Sequence, residues 1–265
     1  MKKKNRIIDI LIVVFRRIMC FSGYKLYKDA KDARESREQF EQLENIMNRQ
    51  VERDKPTPLT AGEKYASVYE ANNHFIGWIT IEGTQMNYPV MQTKDNPEYY
   101  LRRDFTKKYN YHGVPFMDYR CTADESDNII IYAHNMKDGS MFSAVEDYMS
   151  RDFYNEHKYV KFDTMNGYGL YEVVFVFKID VQNNDFRYYE VVDFANIEEF
   201  DSFINNAKAL APYDTGVSAE YGDKLLTLST CEYTLEDGRC VLIAKKIADI
   251  ETKYFDADGN EVMQE

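Results

Sequence analysis

The stretch LLTLSTCEYTLEDGRCVLIAKK, residues 225–246, decides how the chain is read. Two apolar runs, LLTL and CVLIA, flank a polar segment, the pattern of two neighbouring strands joined at one edge. Cys231 stands where the first run stops, and Arg239 stands just before the second begins. A cysteine kept only for packing sits inside a strand, whereas one at a strand exit can meet solvent or a ligand. Cys240 directly follows Arg239, so strand alternation sends it to the opposite face.

Upstream of this stretch, from His74 onward, the chain keeps the same texture. Short apolar runs (FIGWITI, YPVMQ, GVPFMDY, NIIIYAH and YEVVFVFKIDV) are separated by turn residues. With KLLTLSTC and RCVLIAKKI they predict an all-β barrel or sandwich. Two helical patterns interrupt it, GSMFSAVEDYM and IEEFDSFINNAKAL.

The first residues differ. MKKKNR is basic, IIDILIVVF at residues 7–15 is apolar, and Arg16 and Arg17 then interrupt. A basic start holds the N-terminus inside and sends the rest of the chain outward. An uncleaved membrane anchor is the preferred reading, over an amphipathic surface helix or a soluble helix. Residues 28–53 are charged, lack Gly and Pro, and favour helix, with Phe40, Leu43 and Met47 forming a thin apolar stripe. DKPTPLTAGE breaks that helix. The chain end, FDADGNEVMQE, reads as an acidic tail with an Asp-Gly turn.

Composition narrows the function. The 265 residues are 44% hydrophobic and 15% aromatic, with 22 Tyr and a single Trp, enough for a full core. A net charge of −12 argues against a nucleic-acid partner. The cysteines are Cys20, Cys121, Cys231 and Cys240, with no C-x-x-C pair, which disfavours zinc and thioredoxin-like readings. Four cysteines in so long a chain do not make a disulfide scaffold.

Two runs end in reactive side chains, NIIIYAH in His134 and KLLTLST in Cys231. A thiol near its ordinary pKa is a modest nucleophile, so a catalytic cysteine needs a base or a cation nearby. Histidine shuttles a proton near neutral pH. Arginine adds a permanent cation with fork-like donors suited to a developing oxyanion. If the three strand ends are neighbours, the side chains meet at one edge of the barrel. Taken singly, each has an ordinary alternative: a small buried hydrophobe, a loop histidine, a solvated rim charge.

LSTC followed by an arginine that opens the next strand resembles the sortase signature. IIIYAHNMKDGSMFSAV is similar to the histidine segment of the class B sortases, and GWITIEGTQMNYPVMQTKDNPEYYL and GVPFMDYR resemble that class's early strands. The resemblance implies a mainly β fold, a closed sortase-type β-barrel with peripheral helices and an N-terminal helical extension. It divides the chain into an anchor (1–28), a charged helical spacer (29–70), the catalytic barrel (71–252) and the acidic tail (253–265).

The same resemblance implies a cysteine transpeptidase on the outer face of a Gram-positive-type membrane, with no metal or cofactor. Cys231 would attack the carbonyl after the threonine of a C-terminal sorting signal on a secreted protein. An amine of a cell-wall precursor or of another protein would then take the acyl group. His134 would move the protons and Arg239 would hold the oxyanion. Asn96, Tyr132, Tyr189, Ser229, Thr230 and Glu232 are the expected substrate-binding residues, with the Glu232 N–H a second oxyanion donor. The competing functions are a cysteine peptidase that releases to water, and a surface adhesion or scaffold module in which Cys231 is merely buried.

Overall fold

A computed structural model describes residues 2–48, 57–233, 237–255 and 260–262. Helix α1, Lys2–Asn48, runs without interruption through the boundary expected at residue 28. No proline and only Gly23 fall within it, so nothing local ends it. Its second half docks on the barrel. Phe40, Leu43 and Met47 are buried as the stripe predicts, and Asp32 and Ser36 extend that face one turn at a time toward the N-terminus. Its first half leaves Ile10, Leu11, Phe15, Met19 and Phe21 exposed.

Eight strands close the barrel in the order β2-β3-β4-β5-β8-β9-β7-β6. They are β2 Phe75–Thr80, β3 Asn87–Met91, β4 Phe116–Met117, β5 Asn128–Tyr132, β6 Tyr159–Thr164, β7 Tyr168–Asp180, β8 Leu225–Glu232 and β9 Gly238–Ile250. Of these, β6 is not expected from the sequence. Its segment YVKFDT carries Lys161 and Asp163 where an apolar run would be sought, yet Asp163 is buried. The pattern GSMFSAVEDYM contains only the short helix α3, Ser143–Asp147, with α4, Arg151–Glu156, just after it. Helix α5, Ile197–Leu210, matches its expected bounds and is capped by Asn196, whose side chain accepts from the Glu199 N–H.

A second, three-stranded sheet lies outside the barrel. Strand β1, Thr57–Thr60, pairs antiparallel with β10, Thr252–Phe255, and β10 pairs with β11, Glu261–Val262. The segment read as a helix break and the segment read as a tail therefore meet, tying the entry of the barrel to its exit. Thr60 then caps helix α2, Ala61–Ala71, through a reciprocal capping box with Glu63.

The core has two layers. Leu226, Leu228, Cys240, Leu242 and Ala244 point into the barrel. Leu225, Val241, Ile243, Val174 and Phe177 point outward and are covered by α5 and the 186–194 segment, through Phe186, Phe194, Phe200 and Phe203. Because both faces of β8 and β9 are buried, their sequences read as continuous apolar runs rather than as alternation.

Behind β2, Tyr65 of α2 donates a 2.7 Å hydrogen bond to the buried Asp163 Oδ2. Burial raises the Asp163 pKa above the ordinary carboxylate range, against the opposing effects of Tyr65, Lys64, Lys253 and Lys161. The folded chain thus keeps a proton where the unfolded chain releases it. That contribution to stability is full below the unfolded pKa and is lost as pH rises through the folded one. Tyr65→Phe is expected to destabilise the fold by about 1–3 kcal/mol, and by more near neutral pH than in acid, where the carboxyl is neutral in both states. Denaturant midpoints at two pH values measure this.

Candidate active site

The site is built by register. Strands β5 and β8 run parallel with Tyr132 level with Ser229. The last main-chain bond of that ladder runs from the Ala133 N–H to the Ser229 carbonyl at 3.3 Å. Beyond it side chains take over, and His134 lies between Ala133 and Asn135, the residues bonded to Thr230 and to Cys231. Strand β8 pairs antiparallel with β9, and there Cys231 lies directly opposite Arg239. Paired residues project to the same face, so Cys231 and Arg239 stand side by side, and His134 lies in the segment that leaves β5 at the same barrel edge.

The main chain around Cys231 is held from β5. Thr230 is buried and its hydroxyl donates to the Ala133 carbonyl at 2.8 Å. Asn135, which the motifs alone do not single out, donates through Nδ2 to the Cys231 carbonyl at 3.2 Å and to Glu146 Oε2 at 2.8 Å. Its position beside His134 is the available signal. Cys231 is half-buried, whereas Cys240 lies inside the barrel, where its thiol donates to the Val145 carbonyl at 3.6 Å. Cys121 is buried too, and burial pushes its thiol up to about 11. Cys20 is exposed on α1.

His134 Nε2 lies 2.8 Å from the Leu101 carbonyl. A carbonyl only accepts, so Nε2 carries the proton there and Nδ1 keeps its lone pair in the neutral ring. The carbonyl orients the imidazole as a carboxylate does in other acid–base pairs. Burial lowers the His134 pKa below its ordinary value, against the pull of Leu101, and the nearby Arg102 and His112 lower it further. The resting ring is thus neutral at pH 7. Arg239 is half-buried and donates through Nη1 to the Gly238 carbonyl at 2.9 Å.

The expected substrate-binding residues divide. Ser229 Oγ and Tyr188 Oη share a hydrogen bond of 2.8 Å on the outward face, and burial pushes the Tyr188 phenol up to about 12. Tyr132 donates to Asp118 Oδ2 at 3.0 Å. Arg120 binds both Asp118 oxygens, at 2.9 and 2.7 Å, and also the Tyr189 carbonyl. One ion pair thereby ties Tyr132 to Tyr189. Burial opposes ionisation of Asp118, but Arg120 and Tyr132 outweigh it and hold the carboxyl below its usual range. The i, i+2 pair of opposite charges in MDYR is the sequence signal for it.

One expected residue does not join this group. Asn96 occupies an exposed turn, and no hydrogen bond among the described residues links its side chain to the row. That turn is anchored elsewhere, Gln92 and Lys94 both donating to the Cys121 carbonyl near the start of β5. The Glu232 side chain lies outside the described residues.

Gly113 supports the histidine indirectly. It adopts φ +63°, and a Cβ there would stand 2.6 Å from the Leu101 carbonyl oxygen that holds His134. Gly113→Ala should therefore lower stability and turnover together, read by thermal melting and peptide cleavage. Arg102→Ala removes a positive charge, so the His134 pKa should rise. A ring-proton titration with an unmoved midpoint would leave burial and His112 as the causes.

Residues 79–247 match the family model of the sortase domain. Over 256 residues the chain is 32% identical to sortase B of Staphylococcus aureus (strain NCTC 8325 / PS 47), covering 93% of this chain and 98% of the relative. It is 34% identical to sortase B of Listeria monocytogenes serovar 1/2a (strain ATCC BAA-679 / EGD-e) over 201 residues, 74% of this chain and 80% of that one. Among solved structures it resembles a Staphylococcus aureus sortase B–substrate complex, with TM-score 0.71, 28% identity and coverage of 83% of this chain and 98% of that chain. It also resembles a sortase B from B. anthracis, with TM-score 0.70, 31% identity and coverage of 82% and 98%. The closed eight-stranded barrel and these relatives agree: the chain belongs to the sortase family as a class B member, a cysteine transpeptidase that processes sorting signals.

Proposed function

We propose that Cys231 is the nucleophile of this sortase, His134 its acid and base, and Arg239 its oxyanion donor. The observation that supports this is the shared barrel edge, where Arg239 pairs with Cys231 and the residues on either side of His134 bond to Thr230 and to Cys231. His134 Nδ1 takes the thiol proton as the Cys231 sulfur attacks the carbonyl that follows the signal's threonine, forming the C–S bond while the carbonyl π electrons move onto oxygen. Arg239 stabilises that oxyanion, with the Glu232 N–H as second donor. The intermediate collapses, the C–N bond breaks, and the proton reaching the departing amine comes from His134. The incoming amine returns a proton to His134 as it displaces sulfur from the thioester, as microscopic reversibility requires. Nδ1 is the nitrogen that exchanges these protons, because Nε2 is engaged with Leu101.

The signal would lie over the outward face between Tyr132 and Tyr189, with Ser229 buried beneath Tyr188 and acting through it. The shared Asp118–Arg120 pair supports this, since it fixes the two tyrosines relative to one another. Thr230 serves through the backbone it holds.

Sortases are cell-surface enzymes, and we place residues 1–28 as the part that keeps this one at the membrane. No helix among the described residues is long and apolar enough to cross a membrane. What supports attachment is the exposed apolar surface of the first half of α1, preceded in sequence by Lys2, Lys3, Lys4 and Arg6. The acceptor is an amine of a cell-wall precursor or of another protein.

Four experiments test these roles. A sorting-signal peptide should leave an acyl adduct on Cys231, seen by mass. Cys231→Ala should abolish cleavage, whereas Cys240→Ala keeps activity at some cost in stability, and the reverse pattern would reassign the nucleophile. Arg239→Lys keeps the charge but loses the planar fork, and should slow cleavage by about 10²-fold. Deleting residues 1–28 should release the enzyme from membranes and leave peptide cleavage intact. Retention of the shortened chain on membranes would locate attachment elsewhere.

A further inference from the structure

We propose that Tyr111 is a positioning residue for His134, given His134 as the acid and base, and that helix α1 holds Tyr111 in place. A single hydrogen bond from Nε2 to Leu101 fixes one point of the imidazole but leaves the ring free to roll about that axis. The Tyr111 ring removes this freedom. It lies parallel to the imidazole, with 5° between planes and 6.3 Å between centroids, an offset stack. The Arg102 guanidinium packs on the same tyrosine, its carbon 4.3 Å from the ring centroid, and also donates to the Tyr111 carbonyl at 2.8 Å.

Packing alone does not explain an aromatic side chain here, for Tyr111 is 41% exposed while its neighbours Asn110 and His112 are buried. Its main chain, by contrast, is tightly held. The Tyr111 N–H donates to Asp32 Oδ2 at 3.1 Å, and Asn110 Nδ2 donates to the Asp32 carbonyl at 3.1 Å. Asp32 belongs to α1 and is itself buried. Lys28, one turn earlier, stacks on Tyr109 at 4.8 Å. His112 Nε2 lies 3.5 Å from Asp29, too far for a well-formed hydrogen bond. The helix is thus joined to the catalytic imidazole through Asp32, the Tyr111 backbone and the Tyr111 ring, with no contact of its own to His134 required.

The test uses the full chain in detergent with a sorting-signal peptide. Tyr111→Ala should lower kcat by roughly 10-fold, as a misplaced acid and base does, with KM little changed. Tyr111→Phe keeps the ring and should restore kcat to within about two-fold, because stacking and not the hydroxyl is at work. Asp32→Ala should fall between them. The His134 ring protons should shift in Tyr111→Ala and not in Tyr111→Phe. Should the alanine variant not fold, Tyr111→Leu keeps apolar bulk without a ring and reads the same way. Wild-type kcat and unshifted His134 protons in Tyr111→Ala, with His134→Ala inactive, would overturn the inference and leave the catalytic reading intact. An equal loss in Tyr111→Phe would also overturn it. An active His134→Ala would instead sink the reading beneath it.

Discussion

Parallel pairing of β5 with β8 is the constraint on which the site depends. Two parallel strands leave the sheet at the same edge, so the residues after Tyr132 and after Ser229 emerge side by side although 97 positions separate Thr230 from its partner Ala133. Antiparallel pairing with β9 brings the chain back at that edge with Arg239 opposite Cys231. A slip of one residue in either ladder would turn Cys231 toward the barrel interior, where Cys240 now lies. Register is protected by burial on both faces of β8, since Leu226 and Leu228 fill the barrel while Leu225 and Ser229 meet the outer aromatic layer.

That outer layer links stability to recognition. Phe186, Phe194, Phe200 and Phe203 pack edge to face between α5 and the sheet. Tyr188 belongs to the same cluster yet reaches Ser229, two residues before Cys231. Tyr189, its neighbour, is drawn the other way by Arg120 toward Asp118 and Tyr132. The surface on which we place the sorting signal is therefore the exposed margin of a packed aromatic core.

Much of this is readable in the sequence, and for a physical reason. Strands buried on both faces leave unbroken apolar runs, which mark β5, β8 and β9 and display Cys231 and Arg239 at their ends. Helix α5 shows itself by its apolar spacing and its Asn196 cap. Strand β6 does not, because the buried Asp163 has the composition of a surface residue and its partner Tyr65 is distant in sequence. Strands β1 and β10 do not, because each is short and only pairing with the other makes it a strand. Within the site the reactive side chains are legible but their orientation is not. The group that aims His134 is the backbone oxygen of Leu101, and every residue has one. Tyr111 likewise sits among several tyrosines, and only the fold distinguishes it.

Strand β9 is the last of the barrel in sequence, yet it lies between β7 and β8 and pairs along most of its length with both. A chain growing from its N-terminus can place β5, β7 and β8 only with open edges facing one another. Pairings so distant in sequence form slowly, and here the closing strand also brings the arginine. On the proposed roles, folding and activation are then one event, since until β9 inserts Cys231 lacks the arginine that would receive the oxyanion.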